Sequence, residues 1–468
     1  MCKRRSMSRR ALGRREFLKG AAAMAAPLVV PSSVLGLGGR TAPSDRVTVG
    51  YIGVGGMGTN HLKMDVRRTD MQVIAVCDVR RSRREKAKAL VEKLYGQQKR
   101  TGDYGGVKAY NDFRQILARP DVDAVVIAPL HYWHAVMAIM AAQAGKHVYV
   151  EKLWAVTLGE AKAMADAAKR HGVVFQHGTQ GRSTAGYHRA AELIRNGRIG
   201  KVLRAEITCL QAMVVRPGQR GPIGAWVSAE KELPVPPDLD WDLYVGPCPW
   251  QPYAGHLMVG TGYGALADFA SHTVDGAQMI LGMDDNLDPV EIFPGGTGGY
   301  EKLTYRYANG VEVTSCPKDW DPELAFFGMR AIGTEGSVAA PRETACHAKP
   351  LQLERSAIKP DEWHCNPNVA DPYSRRVSGV AGSNTRQAVI VDDFSSHKGN
   401  WLHCIRTGQK AAANEDVARR SASICILADM AGRLGRPLKW DPRNDRIIGD
   451  EEAMRLWDYP KRSPWQVY

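Results

Sequence analysis

The stretch Val47–Gly58, VTVGYIGVGGMG, constrains this chain more than any other. A run of β-branched and apolar residues stops at a glycine turn, the pattern of a buried strand feeding straight into a helix. Gly53, Gly55 and Gly58 stand in the spacing G-x-G-x-x-G, with Gly56 and Met57 inside the same turn. Glycine lets the backbone turn tightly and approach a pyrophosphate, which the free N–H groups and positive end of the following helix then receive. Asp78 closes the next strand, MQVIAVCDV, twenty positions after Gly58. An acidic side chain there accepts hydrogen bonds from a ribose 2′-hydroxyl and repels a 2′-phosphate. The turn and the acid together predict a bound dinucleotide, NAD rather than NADP. Arg80 is expected to border it, although Arg80 and Arg81 are also placed where a 2′-phosphate could be gripped.

Strand-like runs continue with DAVVIAP as a third and KHVYVEK as a fourth, and helical stretches such as AVMAIMAAQAG lie between them. Such alternation predicts a doubly wound parallel sheet wrapped by helices on both faces, an α/β Rossmann domain over residues 45–180. EAKAMADAAKRHG reads as a helix closed by Gly172, and VVFQHGTQ as a further strand. Past Gln180 come the amphipathic helix HRAAELIRNGRIG, the strand KVLRAEITCL, and Pro/Gly/Trp-rich connections over 216–262 of the kind that line sites. KLTYRYANGVEVTS reads as a hairpin with Asn309-Gly310 as its turn. These pieces predict a second, α+β domain over 181–395, for substrate and oligomer contacts, and a C-terminal helical segment and tail over 396–468 that packs back on the body. A chain of 468 residues is long enough for two domains.

The formal charge of +14 could suggest an acidic partner, but a net +8 falls within residues 1–40. The remaining +6, spread over the rest, gives no basis for nucleic-acid binding. The first 42 residues read as an address instead. Gly13, Arg14, Arg15, Phe17, Leu18 and Lys19 precede a short apolar stretch from Ala21 to Val30, the layout of a twin-arginine export signal with Gly13 in the usual serine place. Cleavage between Gly36 and Ala42 and a periplasmic location are expected. The apolar stretch is too short to span a membrane. The nine cysteines include no C-x-x-C pair, and Cys346-His347, His364-Cys365 and His403-Cys404 are adjacent pairs whose side chains diverge, so neither a metal site nor a disulfide framework is indicated.

GVGGMG, VCDV, IAPLHYWHA and AGKHVYVEK together resemble the glucose–fructose oxidoreductase / inositol dehydrogenase / rhizopine catabolism (Gfo/Idh/MocA) family. DFASHTVDGAQMILGMD resembles its D-x-x-x-H-x-x-D helix, and LGRPLKWDP and GDEEAMRLW resemble its secreted bacterial branch. The likeness implies a C-terminal domain with a large open, mostly antiparallel sheet. It also implies that Lys152, Asp268 and His272 meet at the nicotinamide. Elementary geometry agrees, since residues 268, 272 and 275 fall within one stripe of a helix. A neutral imidazole suits acceptance of a hydroxyl proton, Lys152 would hold the substrate oxygen, and Asp268 would orient it. Glu151 and His134 are expected beside the cofactor. Two departures stand out: Leu153 replaces the family's proline, which often follows a cis bond, and of the family's contacts at 130–134 only Trp133 and His134 keep register.

For the substrate, Asp275, Arg182, Tyr263 and His272 are the expected contacts, with His188 a further one. Trp154, Tyr187, Trp226, Trp241 and Tyr244 are aromatic faces against which sugar C–H groups could pack. The expected activity is NAD-dependent hydride transfer at a secondary hydroxyl of a sugar, glycoside or polyol. A redox-neutral glycosidase with retained NAD, or a non-catalytic sugar-binding homologue, are the alternatives. A homodimer or tetramer is also expected.

Overall fold

The computed structural model describes residues 46–99, 105–195, 197–208, 232–254, 265–284, 288–316, 328–340, 352–354 and 397–468. Six parallel strands form the first sheet: β1 (Val47–Ile52), β2 (Met71–Cys77), β3 (Lys108–Tyr110), β4 (Ala124–Ile127), β5 (His147–Glu151) and β6 (Phe175–Gly178), in the order β3-β2-β1-β4-β5-β6. Strands buried on both faces are near-continuous apolar runs, and β1, β2, β4 and β5 are, with Thr48, Gln72, His147 and Glu151 as the polar exceptions. The order reverses between β1 and β4, which opens a crevice beyond their carboxyl ends. The short edge strand β3 is absent from the sequence expectation, so DAVVIAP and KHVYVEK are the fourth and fifth strands in the chain.

Helices cover both faces. Leu62 and Val66 at the Gly56–Asp65 helix, and Val91 and Tyr95 of the Arg81–Lys99 helix, pack on one face with Tyr51 and Tyr149. The His397–Thr407 helix, far along the chain, completes this layer: Trp401 is fully buried and meets Tyr149 edge-on, with ring centroids 5.7 Å apart. Lys398 lies buried against Asp65, which also takes the Tyr51 hydroxyl. The opposite face is covered by the His134–Gln143 and Leu158–His171 helices. The latter ends where Gly172 adopts φ 63°, as the sequence predicts.

Among the described residues the second sheet has nine strands: β7 (Val202–Thr208), β8 (Pro289–Phe293), β9 (Thr304–Tyr307), β10 (Glu312–Cys316), β11 (Met329–Gly333), β12 (Ser337–Ala340), β13 (Gln352–Glu354), β14 (Leu438–Asp441) and β15 (Arg446–Ile447). Their order is β13-β12-β11-β7-β10-β9-β8-β14-β15. Among the described residues only β7 and β10 pair in parallel in this sheet; the other pairings are antiparallel. The β9–β10 hairpin turns over three residues, because Gly310 N–H donates to Tyr307 O and only Gly310, at φ 84°, is left-handed. This is a type I turn with a glycine bulge rather than a two-residue Asn-Gly turn. The Ala265–Ile280 and Glu415–Leu434 helices pack against each other and against this sheet, and the second also packs on the Leu158–His171 helix of the nucleotide domain. Among the described residues, no helix is long and apolar enough to cross a membrane. The expected leader, Tyr263 and Trp226 lie outside the described residues.

Candidate active site

The glycine turn is built around what a side chain would destroy. A Cβ on Gly58 would lie 2.0 Å from Gly53 O, and one on Gly53, at φ 82°, would meet Pro129 N at 2.5 Å. A Cβ on Gly56 would meet nothing within 4 Å outside its own helix among the described residues, so that position faces open space at the helix N-terminus. No side chain caps this helix and no acid occupies its first turn, which leaves its N–H groups and dipole for an anion. Asp78 braces the turn: Oδ2 accepts from Val54 N–H at 3.0 Å and Oδ1 from Arg80 N–H at 2.9 Å. Burial raises the Asp78 carboxyl above its ordinary value, and these two backbone bonds oppose the rise.

A cavity of about 380 Å³ opens beside the turn, lined by Gly53, Gly55, Gly56, Met57, Asp78 and Arg83 on one side and by Phe113, Pro129, Trp133, Leu243 and Tyr244 on the other. It lies beyond the carboxyl ends of β1, β2 and β4, where a doubly wound sheet receives its ligand. The glycine cradle, open helix end and acid at β2 fit a dinucleotide with its adenosine half here. Arg83, Phe113, Leu243 and Tyr244 are additions to the expected set; only Tyr244 was marked by its aromatic ring. Arg80 contributes its backbone to Asp78 and pairs as an isolated bridge with Leu239.

At the end of β5, Glu151 is 4% exposed. Its Oε1 accepts from His61 Nε2 and from Gln180 Nε2, each at 2.7 Å, and Lys152 N–H approaches Oε2 at 3.2 Å. Burial pushes this carboxyl up, but the His61 bond and charge, His272 and Gln180 outweigh it and bring it down to about 2. Glu151 is therefore a buried, ionised anchor at the end of β5. Lys152 follows it, half-buried, and the Lys152–Leu153 peptide is cis although Leu153 is not proline. His134, expected at the cofactor, is instead buried under this turn, its Nδ1–H donating to Leu153 O at 2.6 Å. Burial and neighbouring His131 hold its imidazole neutral, down to about 3.

His272 is buried at 7% exposure on the Ala265–Ile280 helix. Asp268 lies on the same helix, one turn earlier. Asp275 occupies a different setting from the one expected. Its Oδ2 accepts from Arg182 Nε at 2.5 Å and its Oδ1 from Ser421 at 2.7 Å, while Arg182 also grips Asp284 at 2.8 and 2.9 Å. Arg182 and Asp275 thus form a buried ionic lock instead of a substrate clamp, because each satisfies the other's charge where water is excluded. His188 bonds the backbone oxygen of Arg182. Trp154, Tyr187 and Trp241 are core residues. Sequence reasoning missed His61, Gln180 and His177. His177 is fully buried near the end of β6, edge-on to Trp154, with neither ring nitrogen hydrogen-bonded among the described residues. Burial brings it down to about 3. A histidine ending a strand beside the Lys152 strand was the available signal.

The comparisons with known proteins agree with this geometry. Residues 47–179 match the oxidoreductase family's NAD-binding Rossmann fold, and 223–339 with 378–467 match its C-terminal alpha/beta domain. A levoglucosan dehydrogenase of Pseudarthrobacter phenanthrenivorans is 32% identical over 51% of this chain and 54% of its own length. An alpha-N-acetylgalactosaminidase of Shewanella oneidensis is 31% identical over 41% of this chain and 45% of its own. The matches thus span about half the length of these curated relatives. Among solved structures, a levoglucosan dehydrogenase with NADH and levoglucosan superposes with TM-score 0.53 at 21% identity, covering 83% of this chain and 98% of its own. The aldose-aldose oxidoreductase of Caulobacter crescentus does so with TM-score 0.52 at 17% identity, covering 84% and 99%. The chain belongs to the Gfo/Idh/MocA oxidoreductase family, and its first domain is an NAD-binding Rossmann domain.

Proposed function

We propose that this protein is an NAD-dependent oxidoreductase acting on a secondary hydroxyl of a sugar, glycoside or polyol. The observation that supports the reading is that the Ala265–Ile280 helix, which bears His272, packs against the Gln180–Ser183 turn, whose Gln180 donates to Glu151 beside Lys152. Bound NAD would supply the hydride acceptor. Lys152 would hold the substrate oxygen through its ammonium, His272 would take the hydroxyl proton on its imidazole, and Asp268 would orient the alcohol. Asp78, whose carboxylate faces the expected ribose, supports NAD over NADP. The curated levoglucosan dehydrogenase relative supports a carbohydrate substrate. Export through the twin-arginine layout of Arg14 and Arg15, and self-association, belong to the same proposal.

The test is purified enzyme with NAD and a panel of sugars, anhydrosugars and inositols, followed at 340 nm. NADH formation that disappears in Lys152→Met and His272→Asn, both still binding NADH, supports the reading; no reduction across the panel, or unchanged activity in both variants, overturns it. The alpha-N-acetylgalactosaminidase relative favours a second reading, transient oxidation within glycoside cleavage. Its mark is release of an aglycone without added NAD and without net NADH.

A further inference from the structure

The cavity beside the glycine turn has a roof drawn from the middle of the chain. The segment from Asp238 to Pro247 crosses over it and is fastened on the nucleotide-domain side by backbone bonds: Arg81 N–H donates to Asp238 O at 2.7 Å and Asp240 N–H to Val79 O at 3.0 Å. Asn111 Nδ2 reaches Asp240 Oδ2 at 2.7 Å, and Ser82 Oγ reaches Asp238 Oδ2 at 2.6 Å. Further on, Tyr132 OH donates to Tyr244 O at 2.7 Å and Trp133 Nε1 to Leu243 O at 3.1 Å. Leu243 and Tyr244 are the roof residues that face the cavity.

The far end of this strap is tied by the C-terminal tail. Arg462 donates from Nε to Gly246 O at 2.8 Å, from one terminal nitrogen to Asp242 O at 2.9 Å and from the other to Asp242 Oδ1 at 2.6 Å, and its backbone N–H reaches Pro247 O at 2.8 Å. Three residues on, Trp465 packs edge-on to Trp133 at 4.7 Å between centroids, and Trp133 lines the same cavity. Gly246, at φ 56°, lets the strap lie against that ring, since a Cβ there would fall 2.2 Å from Trp133. A planar guanidinium that collects successive carbonyls holds a chain segment in one geometry, which a flexible ammonium does less well.

We propose that Arg462 is a positioning residue for the nucleotide: it latches the Asp238–Pro247 strap over the adenosine half, so that release of the dinucleotide requires the strap to lift. The inference rests on the cofactor reading above and concerns how the cofactor leaves. Breaking the latch speeds departure of anything held under Leu243 and Tyr244, with no change in the chemistry at Lys152.

The experiment measures release of NADH by stopped-flow displacement with excess NAD, and release of ADP-ribose by competition, for wild type, Arg462→Ala and Arg462→Lys. Arg462→Ala should speed release of both nucleotides by the same factor, at least about tenfold, because most interface changes act on off-rates. Arg462→Lys should fall between, and melting temperature should move by only a few degrees. Binding with unaltered off-rates in Arg462→Ala overturns the latch alone, as does faster release of NADH but not ADP-ribose. If Arg462→Ala fails to fold, Arg462→Lys decides, with a wild-type off-rate overturning the proposal. Wild-type protein that binds neither nucleotide overturns the cofactor reading and the latch with it.

Discussion

His61 Nε2 lies 2.7 Å from Glu151 Oε1, and the two side chains are 4% and 5% exposed. The bond joins the helix beneath the glycine turn to the residue preceding Lys152. A Cβ on Gly178 would fall 2.7 Å from the same Oε1, so the carboxylate's seat is closed by a glycine of the neighbouring strand. His61→Ala should cost about 1.5–3 kcal/mol, the worth of a buried hydrogen bond to a charged group. Glu151 is held down to about 2 in the fold against an ordinary 4.5. A depressed carboxyl contributes stability that is complete above its unfolded value and lost as pH falls toward the folded one. Urea denaturation should therefore show a gap between wild type and Glu151→Gln that is constant down to about pH 5 and shrinks below it.

Three buried histidines add a second acid sensitivity. Burial brings His134 and His177 down to about 3 and His397 to about 4. The unfolded chain takes up these protons first, so stability should fall as pH drops below about 6.5. His177→Leu should flatten this slope by up to about 1.4 kcal/mol per pH unit, read from denaturation midpoints between pH 7 and 4.

The two faces of the glycine turn should respond in opposite ways. Gly58→Ala drives a methyl into Gly53 O and should abolish NADH binding along with local order. Gly56→Ala meets nothing in the protein, so its thermal stability should stay within about 0.5 kcal/mol of wild type. Any loss of NADH affinity in Gly56→Ala, read by calorimetry, then reports crowding of the nucleotide itself.

Arg182 and Asp275 should behave as structural partners. Their side chains are 2% and 1% exposed, and Asp275→Ala leaves a buried guanidinium with one carboxylate fewer. The expected loss is about 3–5 kcal/mol. Differential scanning calorimetry should show it, and Michaelis constants measured well below the transition should stay near wild type. A raised KM with unchanged stability would restore these residues to the substrate pocket.

Strands with sustained apolar runs were legible because burial on both faces writes itself into most positions, as in VTVGYI and HVYVE. β3 was not, since Lys108-Ala109-Tyr110 is an edge strand too short to carry a period. The glycine spacing located the nucleotide turn because backbone clearance there depends on residue identity alone. The helix stripe placed His272 and Asp275 on one side without saying what each would face. Asp275 meets Arg182 and Ser421 only through a fold that brings residues 93 and 146 positions away into contact. The strap fell in a stretch expected near a site, but its fastening by Arg462 joins residues 216 and 220 apart, beyond the reach of any local pattern.

The placement of the His397–Thr407 helix makes the nucleotide domain a poor candidate for gene fusion or recombination as an isolated cassette. Residues 45–180 expressed alone would leave Tyr149 without its Trp401 cover on one sheet face and strand the Asp65 carboxylate without its Lys398 counterion. Any chimera that borrows this cofactor module must carry the distal helix with it.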